Sequence, residues 1–257
     1  MTGYSFDLTG RVALITGASS GLGARFARRL AASGAKVAVA ARRTDLLDDL
    51  QAEIAAAGGE AAAVAMDVAD EVSVTTGYDS IEAALGPVDT IIANAGMNVE
   101  AAAVELAADD FARIMAVNVT GVFLTVREGA RRLLAAGERG RGRGRVVIVS
   151  SITANAVEPG LAAYSASKAA VQQMGRVLAR DWARAGINVN SICPGYIRTE
   201  LNSDWFDTEF GQKQIARFPR KRLMDAAGLD AMLLYLCSDA SAEVTGASFT
   251  LDDGQSL

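Results

Sequence analysis

Residues 12–23 read Val-Ala-Leu-Ile-Thr-Gly-Ala-Ser-Ser-Gly-Leu-Gly (VALITGASSGLG): an apolar run that breaks into glycines and then into a helical pattern. Five apolar or β-branched residues without alternation describe a strand buried on both faces. Gly17, Gly21 and Gly23 permit a tight turn, close approach of the backbone to a pyrophosphate, and close helix–strand packing. Ser20 and Leu22 belong to the same turn. A helix starting there offers free N–H donors and the positive end of its dipole to phosphates. The spacing, G-x-x-x-G-x-G, departs from the G-x-G-x-x-G dinucleotide pattern. Its weight comes from its place between the first strand and the first helix.

The same rhythm runs through the chain. Lys36–Ala41, Ala61–Met66, Val88–Ala93, Arg145–Ser150, Ile187–Cys193 and Ser248–Leu251 are further strand candidates. Leu22–Ser33, Thr44–Ala57, Ala108–Leu134 and Ala162–Ala185 are among the helix candidates. Gly34, Gly58 and Gly186 serve as helix stops. Strand–helix alternation implies right-handed crossovers and an α/β, doubly wound parallel sheet with helices on both faces. No linker-like composition interrupts it, so residues 1–257 read as one domain.

Composition narrows the function. The chain has 257 residues, a net charge of −5, and 51% apolar residues. The acidic balance argues against a nucleic-acid partner. No apolar run reaches the roughly 18 residues that span a bilayer, and the N-terminus does not read as a signal peptide. Cys193 and Cys237 lie far apart in apolar segments and read as reduced core thiols of a cytoplasmic protein, with no metal site. Gly137–Arg145 (GERGRGRGR) reads as a surface loop. Glu200–Arg222, with Trp205, Phe206, Phe210 and Phe218, reads as a substrate lid at 200–222.

Where the second strand ends, an NAD site usually carries an acid for the ribose 2′-OH. Here Ala41 occupies that place and Arg42 and Arg43 follow. Paired guanidinium groups suit a 2′-phosphate, which favours NADP(H) over NAD(H).

The chain contains no histidine, so proton transfer near neutral pH needs another group. Tyr164-Ser-Ala-Ser-Lys168 puts a phenol and an ammonium at i and i+4 on one helix face. A unit charge near 4 Å is worth about 4 kcal/mol at an effective dielectric of 20, enough to lower the phenol by roughly three pKa units at most. Ser150 and Ser151 close the fifth strand, Asn94-Ala95-Gly96 the fourth, and Cys193-Pro-Gly-Tyr-Ile-Arg-Thr199 the sixth. Asn118 interrupts an otherwise apolar helical run. In a doubly wound sheet these strand ends face one crevice.

TGASSGLG, Asp67-Val68, ANAG, Asn118, Ser151, YSASK and PGYIRT, in this order, resemble the short-chain dehydrogenase/reductase family over nearly the whole chain. The resemblance implies a Rossmann-type seven-stranded sheet, often assembled as a homotetramer or homodimer, that moves hydride between NAD(P) and an alcohol or carbonyl. It makes Tyr164 the acid/base and Lys168 the group that lowers its pKa and binds the nicotinamide ribose. Ser151, thirteen residues before Tyr164, orients the substrate oxygen. Asn118 holds a helix irregularity and a water that links Lys168 to solvent. Asp67 and Val68 fall near the adenine, Asn94, Ala95 and Gly96 along the cofactor, and Pro194, Gly195, Ile197 and Thr199 around the nicotinamide amide. Tyr196, Trp205 and Phe206 are candidates for the substrate side. Two departures stand out: ANAG where the family has NNAG, and Asp252-Asp253-Gly254 where it has Asp-Gly-Gly.

Three readings follow. The first is an NADP(H)-dependent oxidoreductase that interconverts a secondary alcohol and a ketone. The second is a 3-oxoacyl-ACP reductase whose acidic carrier protein docks on Arg139, Arg141 and Arg180. The third, of another class, is a non-catalytic NADP(H)-binding scaffold or redox sensor, which would have no need of the full Asn118, Ser151, Tyr164, Lys168 set.

Overall fold

A computed structural model describes residues 6–137, 142–199 and 203–257. Seven parallel strands form one sheet in the order β3-β2-β1-β4-β5-β6-β7. They are β1 Val12–Thr16, β2 Lys36–Ala41, β3 Ala61–Ala65, β4 Thr90–Ala93, β5 Arg145–Val149, β6 Asn188–Pro194 and β7 Ser248–Leu251. The helices are α1 Gly21–Ala32, α2 Thr44–Ala56, α3 Glu71–Leu85, α4 Ala108–Met115, α5 Gly121–Ala135, α6 Ala162–Trp182, α7 Ser203–Phe206, α8 Glu209–Arg217 and α9 Asp230–Cys237.

The unbroken apolar runs are explained by burial on both sides. Along β1, Val12 and Leu14 join a core with Tyr78, Ile81, Val126 and Val171 from α3, α5 and α6. Ala13 and Ile15 point the other way, into a core with Phe26, Leu30, Leu47 and Leu233 from α1, α2 and α9. Register is set where β1 lies between β2 and β4, with Val12 opposite Lys36 and Ala13 opposite Thr90. Order reverses between β1 and β4, which opens a crevice at the carboxyl ends of these strands.

One expected element differs. The helix read from Ala108 to Leu134 is interrupted by a single π-helical segment, Ala116–Thr120. Such a bulge carries one extra residue per turn and is found mostly at functional positions. Here it turns Asn118, which has no exposed surface, inward.

The other edge of the sheet, where the strands begin, is tied by charge. Arg11 donates to Asp89 (3.5 Å) and to the carbonyl of Arg143 (2.9 Å), and Arg143 reaches the second Asp89 oxygen at 2.9 Å. Arg145, also buried, donates to the Ser238 carbonyl at 3.1 Å, and burial holds its guanidinium below its ordinary pKa. The part of the basic loop at residues 138–141, with Arg139 and Arg141, lies outside the described residues.

A buried ion pair that loses one partner strands the other charge without water. Arg11 keeps a second carboxylate partner in Asp239, so Asp89→Ala should cost about 2 kcal/mol of stability, read as a lower urea midpoint. Cofactor affinity at the opposite edge should change little. An unchanged midpoint would show that this cluster does not hold the strand starts together.

Candidate active site

The glycine turn is built for close contact. Gly17 takes φ +66°, and a Cβ there would come within 2.8 Å of the Ala95 Cα. A Cβ on Gly23 would stand 2.3 Å from the Gly17 carbonyl oxygen, so no other residue fits at that position. Asn94 pins the turn: its side-chain amide donates to the carbonyls of Thr16 (2.9 Å) and Gly17 (3.3 Å). The Thr16 hydroxyl accepts from the N–H groups of Asn94 and Ala95 in return. The Asn94 amide thus braces the glycine turn.

The first turn of α1 carries no acidic residue, and Ser20 at its N-cap makes no side-chain cap bond. Its N–H donors are not spent on a side chain, unlike those of α3, where Asp70 accepts from Val72. The Ser20 hydroxyl instead accepts from Arg43 at 2.9 Å, and Ser19 takes two further bonds from the same guanidinium at 3.0 and 3.2 Å. Arg43 therefore lies across the turn and Arg42 is exposed beside it. A cradle cleared of Cβ atoms, free helix donors and a guanidinium at its rim fit the phosphates of a dinucleotide. Thr199 closes over the turn, its side chain 3.8 Å from where a Gly21 Cβ would be. Asp67 is held by its own loop, accepting from the Ala69 N–H at 3.0 Å. Val68 is buried against Gly121, so its side chain serves packing.

Beside the turn the four predicted catalytic groups meet. Lys168, 4% exposed, donates to the Val149 carbonyl at the end of β5 (2.8 Å). Its ammonium lies 5.5 Å from the center of the Tyr164 ring. A Cβ on Gly96 would stand 3.5 Å from both the Asn118 amide oxygen and the Lys168 Nζ. Asn118 grips the backbone of Met97, accepting from its N–H at 2.8 Å and donating to its carbonyl at 2.9 Å, and it donates to Ser167 at 3.0 Å. The Ser151 hydroxyl accepts from the N–H (3.2 Å) and hydroxyl (3.0 Å) of Thr153 and hydrogen-bonds the Tyr164 phenol. Ser150 faces elsewhere, donating to the Lys168 carbonyl at 3.0 Å. The choice of Ser151 over its neighbour follows from these partners.

Burial raises the Tyr164 phenol above its ordinary pKa, and the bond from Ser151 opposes that rise. The ammonium lies over the ring face and is committed to the Val149 carbonyl. It is itself lowered by burial, from 10.5 to about 8, with the Cys193 thiol opposing.

The substrate side corrects one expectation. Phe206 is 1% exposed and Phe218 5%. Tyr196 stacks on Phe218 at 5.4 Å and meets Phe206 edge-on at 6.1 Å. Trp205 packs on Phe206 at 5.0 Å. These aromatics form a satellite core beneath the 200–222 excursion, of which residues 200–202 lie outside the described residues. Phe206 is therefore not a wall of the pocket. Ile197 is likewise buried and bridges to Met224.

Two residues escaped the sequence reading. Gln255 accepts from the Tyr196 N–H at 2.6 Å and donates to the Tyr196 carbonyl at 3.2 Å. Glu158 hydrogen-bonds the Tyr196 phenol, which burial and this carboxylate hold far above its ordinary pKa. No local motif announces either, since each acts across a distance in sequence. Pro194 ends β6, and a Cβ on Gly195 just beyond it would lie 2.4 Å from the Gln255 oxygen.

A parallel sheet with a phosphate-fitting turn and a Tyr–Lys–Ser–Asn cluster at its carboxyl edge defines a nucleotide-dependent oxidoreductase site. The short chain dehydrogenase family matches residues 11–209, and the chain belongs to it. It is 35% identical over 250 residues to gluconate 5-dehydrogenase of Gluconobacter oxydans, covering 97% of this chain and 96% of that one. It is 33% identical to D-threitol dehydrogenase of Mycolicibacterium smegmatis, over 99% and 96% of the two chains. The solved structure of a gluconate 5-dehydrogenase from Burkholderia cenocepacia in complex with NADP and tartrate superposes with a TM-score of 0.91 at 33% identity, over 98% and 97%. The family comprises oxidoreductases that use a nicotinamide cofactor, and the seven-stranded parallel sheet is its fold.

A buried ammonium at about 8, against 10.5 in the unfolded chain, costs stability below pH 8, and that cost is relieved as pH rises toward 10.5. Lys168→Met also leaves the Val149 carbonyl without its donor, so the pH dependence is the test: relative to the parent, the variant should gain up to about 3 kcal/mol more at pH 7 than at pH 10.5 in paired denaturation curves. A relative stability that does not change with pH would place the ammonium in water.

Proposed function

We propose that the protein is an NADP(H)-dependent oxidoreductase that interconverts a secondary alcohol and a ketone, with Tyr164 as acid/base. The convergence of Tyr164, Ser151, Lys168 and Asn118 beside the glycine turn carries this reading. NADPH, when bound, supplies the hydride. A phenol raised above its ordinary value is protonated at neutral pH, so Tyr164 is set to give its proton to a carbonyl oxygen. Ser151, whose lone pairs are taken by the Thr153 N–H and hydroxyl, has its proton to turn from that phenol and donate to the same oxygen. Lys168 positions the cofactor ribose and passes a proton toward Tyr164. Asn118, locked on Met97 and Ser167, fixes the bulge through which Lys168 is resupplied. In the oxidative direction Tyr164 must first lose its proton, so alcohol oxidation should gain speed with rising pH.

Preference for NADP(H) is supported by Arg43 across the turn and by the absence of an acid at Ala41. The relative solved with NADP points the same way. An acyl carrier substrate is less well supported: Arg180 stands sixteen residues along α6 from Tyr164, about 24 Å away. The whole chain is taken as one domain, with 200–222 covering the substrate. Apolar side chains of Phe111, Phe123, Leu134 and Val177 exposed on α4, α5 and α6 support assembly as a homotetramer or homodimer. Among the described residues no helix is long and apolar enough to cross a membrane, and a cytoplasmic place suits two reduced thiols.

Tyr164→Phe should remove turnover on any ketone, by about 10³-fold or more, while NADPH binding followed by fluorescence persists. Binding without turnover in the parent protein, across a panel of ketones and alcohols, would favour the scaffold reading. Arg43→Ala should raise the NADPH KM by about 10-fold or more and leave that for NADH nearly unchanged, and Arg42→Asp should act in the same direction. Equal effects on both cofactors would remove the case for NADP(H).

A further inference from the structure

Two carboxylates, Glu158 and Glu100, act on the Tyr196 phenol, which lies near that of Tyr164. Glu158 lies six residues before Tyr164 and is half-buried. Its carboxylate accepts from the Tyr196 phenol and from the Gln214 side-chain amide at 3.3 Å. The connection after β5, the segment after β6 and helix α8 are thus joined on one carboxylate. Glu100, exposed in the connection after β4, is near enough for its charge to act on the same phenol. Its side chain lies 3.2 Å from where a Gly160 Cβ would be, and the Ala101 N–H donates to the Gly160 carbonyl at 3.1 Å. The Tyr196 phenol is near enough to that of Tyr164 for a charge on one to act on the other. Arg198, the base nearest in sequence to Tyr196, is paired with Asp207 at 3.0 Å.

We propose that Glu158, aided by Glu100, is a specificity-determining residue that makes the site select uncharged polyhydroxy alcohols and their ketose products over hydroxy acids. The inference rests on the oxidoreductase reading above and narrows its substrate class. An ionised carboxylate accepts at about four lone-pair positions. Tyr196 and Gln214 occupy two, so the remainder are open to substrate hydroxyls, which are donors. A substrate carboxylate is an acceptor only, and it would be drawn in beside the like charges of half-buried Glu158 and exposed Glu100. Discrimination of this kind comes from repulsion of the wrong substrate as much as from attraction of the right one. Gluconate 5-dehydrogenase and D-threitol dehydrogenase, to which the chain is about equally similar, have names that fall on the two sides of this choice.

The experiment measures kcat/KM with NADP⁺ for D-threitol, galactitol and D-gluconate, in the parent protein and in Glu158→Gln and Glu100→Gln. The parent should prefer the better neutral polyol over gluconate by about 10-fold or more. Glu158→Gln keeps the shape and removes the charge, so it should compress that ratio by about 10-fold, and Glu100→Gln should compress it less. The readout is a ratio between substrates, which a general loss of folding or turnover does not move. A parent that oxidises gluconate as well as the polyols overturns the proposal, as does a ratio that Glu158→Gln leaves unchanged. Turnover of none of the three, nor of any simple secondary alcohol or ketone, overturns the oxidoreductase reading itself.

Discussion

Every strand of a parallel sheet ends by presenting carbonyl groups that its neighbours do not satisfy, and here the side chains that satisfy them are those of the site. Lys168 takes the Val149 carbonyl at the end of β5. Asn94 takes those of Thr16 and Gly17 at the end of β1. Asn118 takes the carbonyl of Met97, just past the end of β4. A buried backbone carbonyl without a partner is costly, so these side chains are held in place by the fold's own requirement. The site is preorganised because removing its residues would also leave the sheet edge unsatisfied. This is the sense in which burial of both faces, written in the apolar runs, forces polar chemistry to one edge.

The same burial sets the charges. Desolvation acts on Tyr164 and Lys168 in opposite directions, raising the phenol and lowering the ammonium. The two values, 10.0 and 10.5 in the unfolded chain, are thereby driven apart, so the proton is held more firmly on Tyr164 and given up more readily by Lys168. The Ser151 bond trims the rise of the phenol without cancelling it. In a chain without histidine, burial thus leaves a protonated phenol and a readily deprotonated ammonium side by side.

The fold was legible because it depends on local, repeated signals. Ser248–Leu251 and Val12–Thr16 appear as read, and most other boundaries move by one or two residues, where strand ends depend on partners. The π segment at Ala116–Thr120 was foreshadowed only by one polar residue in an apolar run, because its cause, the grip of Asn118 on Met97, is tertiary. The catalytic cluster was legible for a different reason: strand ends in a parallel sheet share an edge, so motifs far apart in sequence can be placed together. The aromatic excursion was misread at Phe206 because aromatic content does not say which way a ring faces, and stacking with Tyr196 and Phe218 decided it. Glu158 and Gln255 carry no motif, so only contacts across the chain reveal them.

The C-terminal turn shows how such contacts reach the substrate wall. Asp253 stands where the family pattern has glycine, and it adopts φ +55°, a conformation that costs a residue with a side chain of order 1 kcal/mol or more. The turn is kept by a pair of cations: Arg222 bonds its carboxylate at 2.7 and 3.2 Å, and Arg220 lies 2.8 Å away. These contacts lower the Asp253 carboxyl below its usual range, the Arg222 bond most. They are exposed, so each is worth little alone. Their effect is geometric: the turn sets Gln255 against both backbone groups of Tyr196, and its amide also reaches the Arg222 carbonyl at 3.4 Å. Tyr196 in turn holds Glu158. The substitution that looked like damage to the last turn is therefore compensated by arginines of the 200–222 excursion, and it ties that excursion to the chain end through the same tyrosine that shapes the crevice.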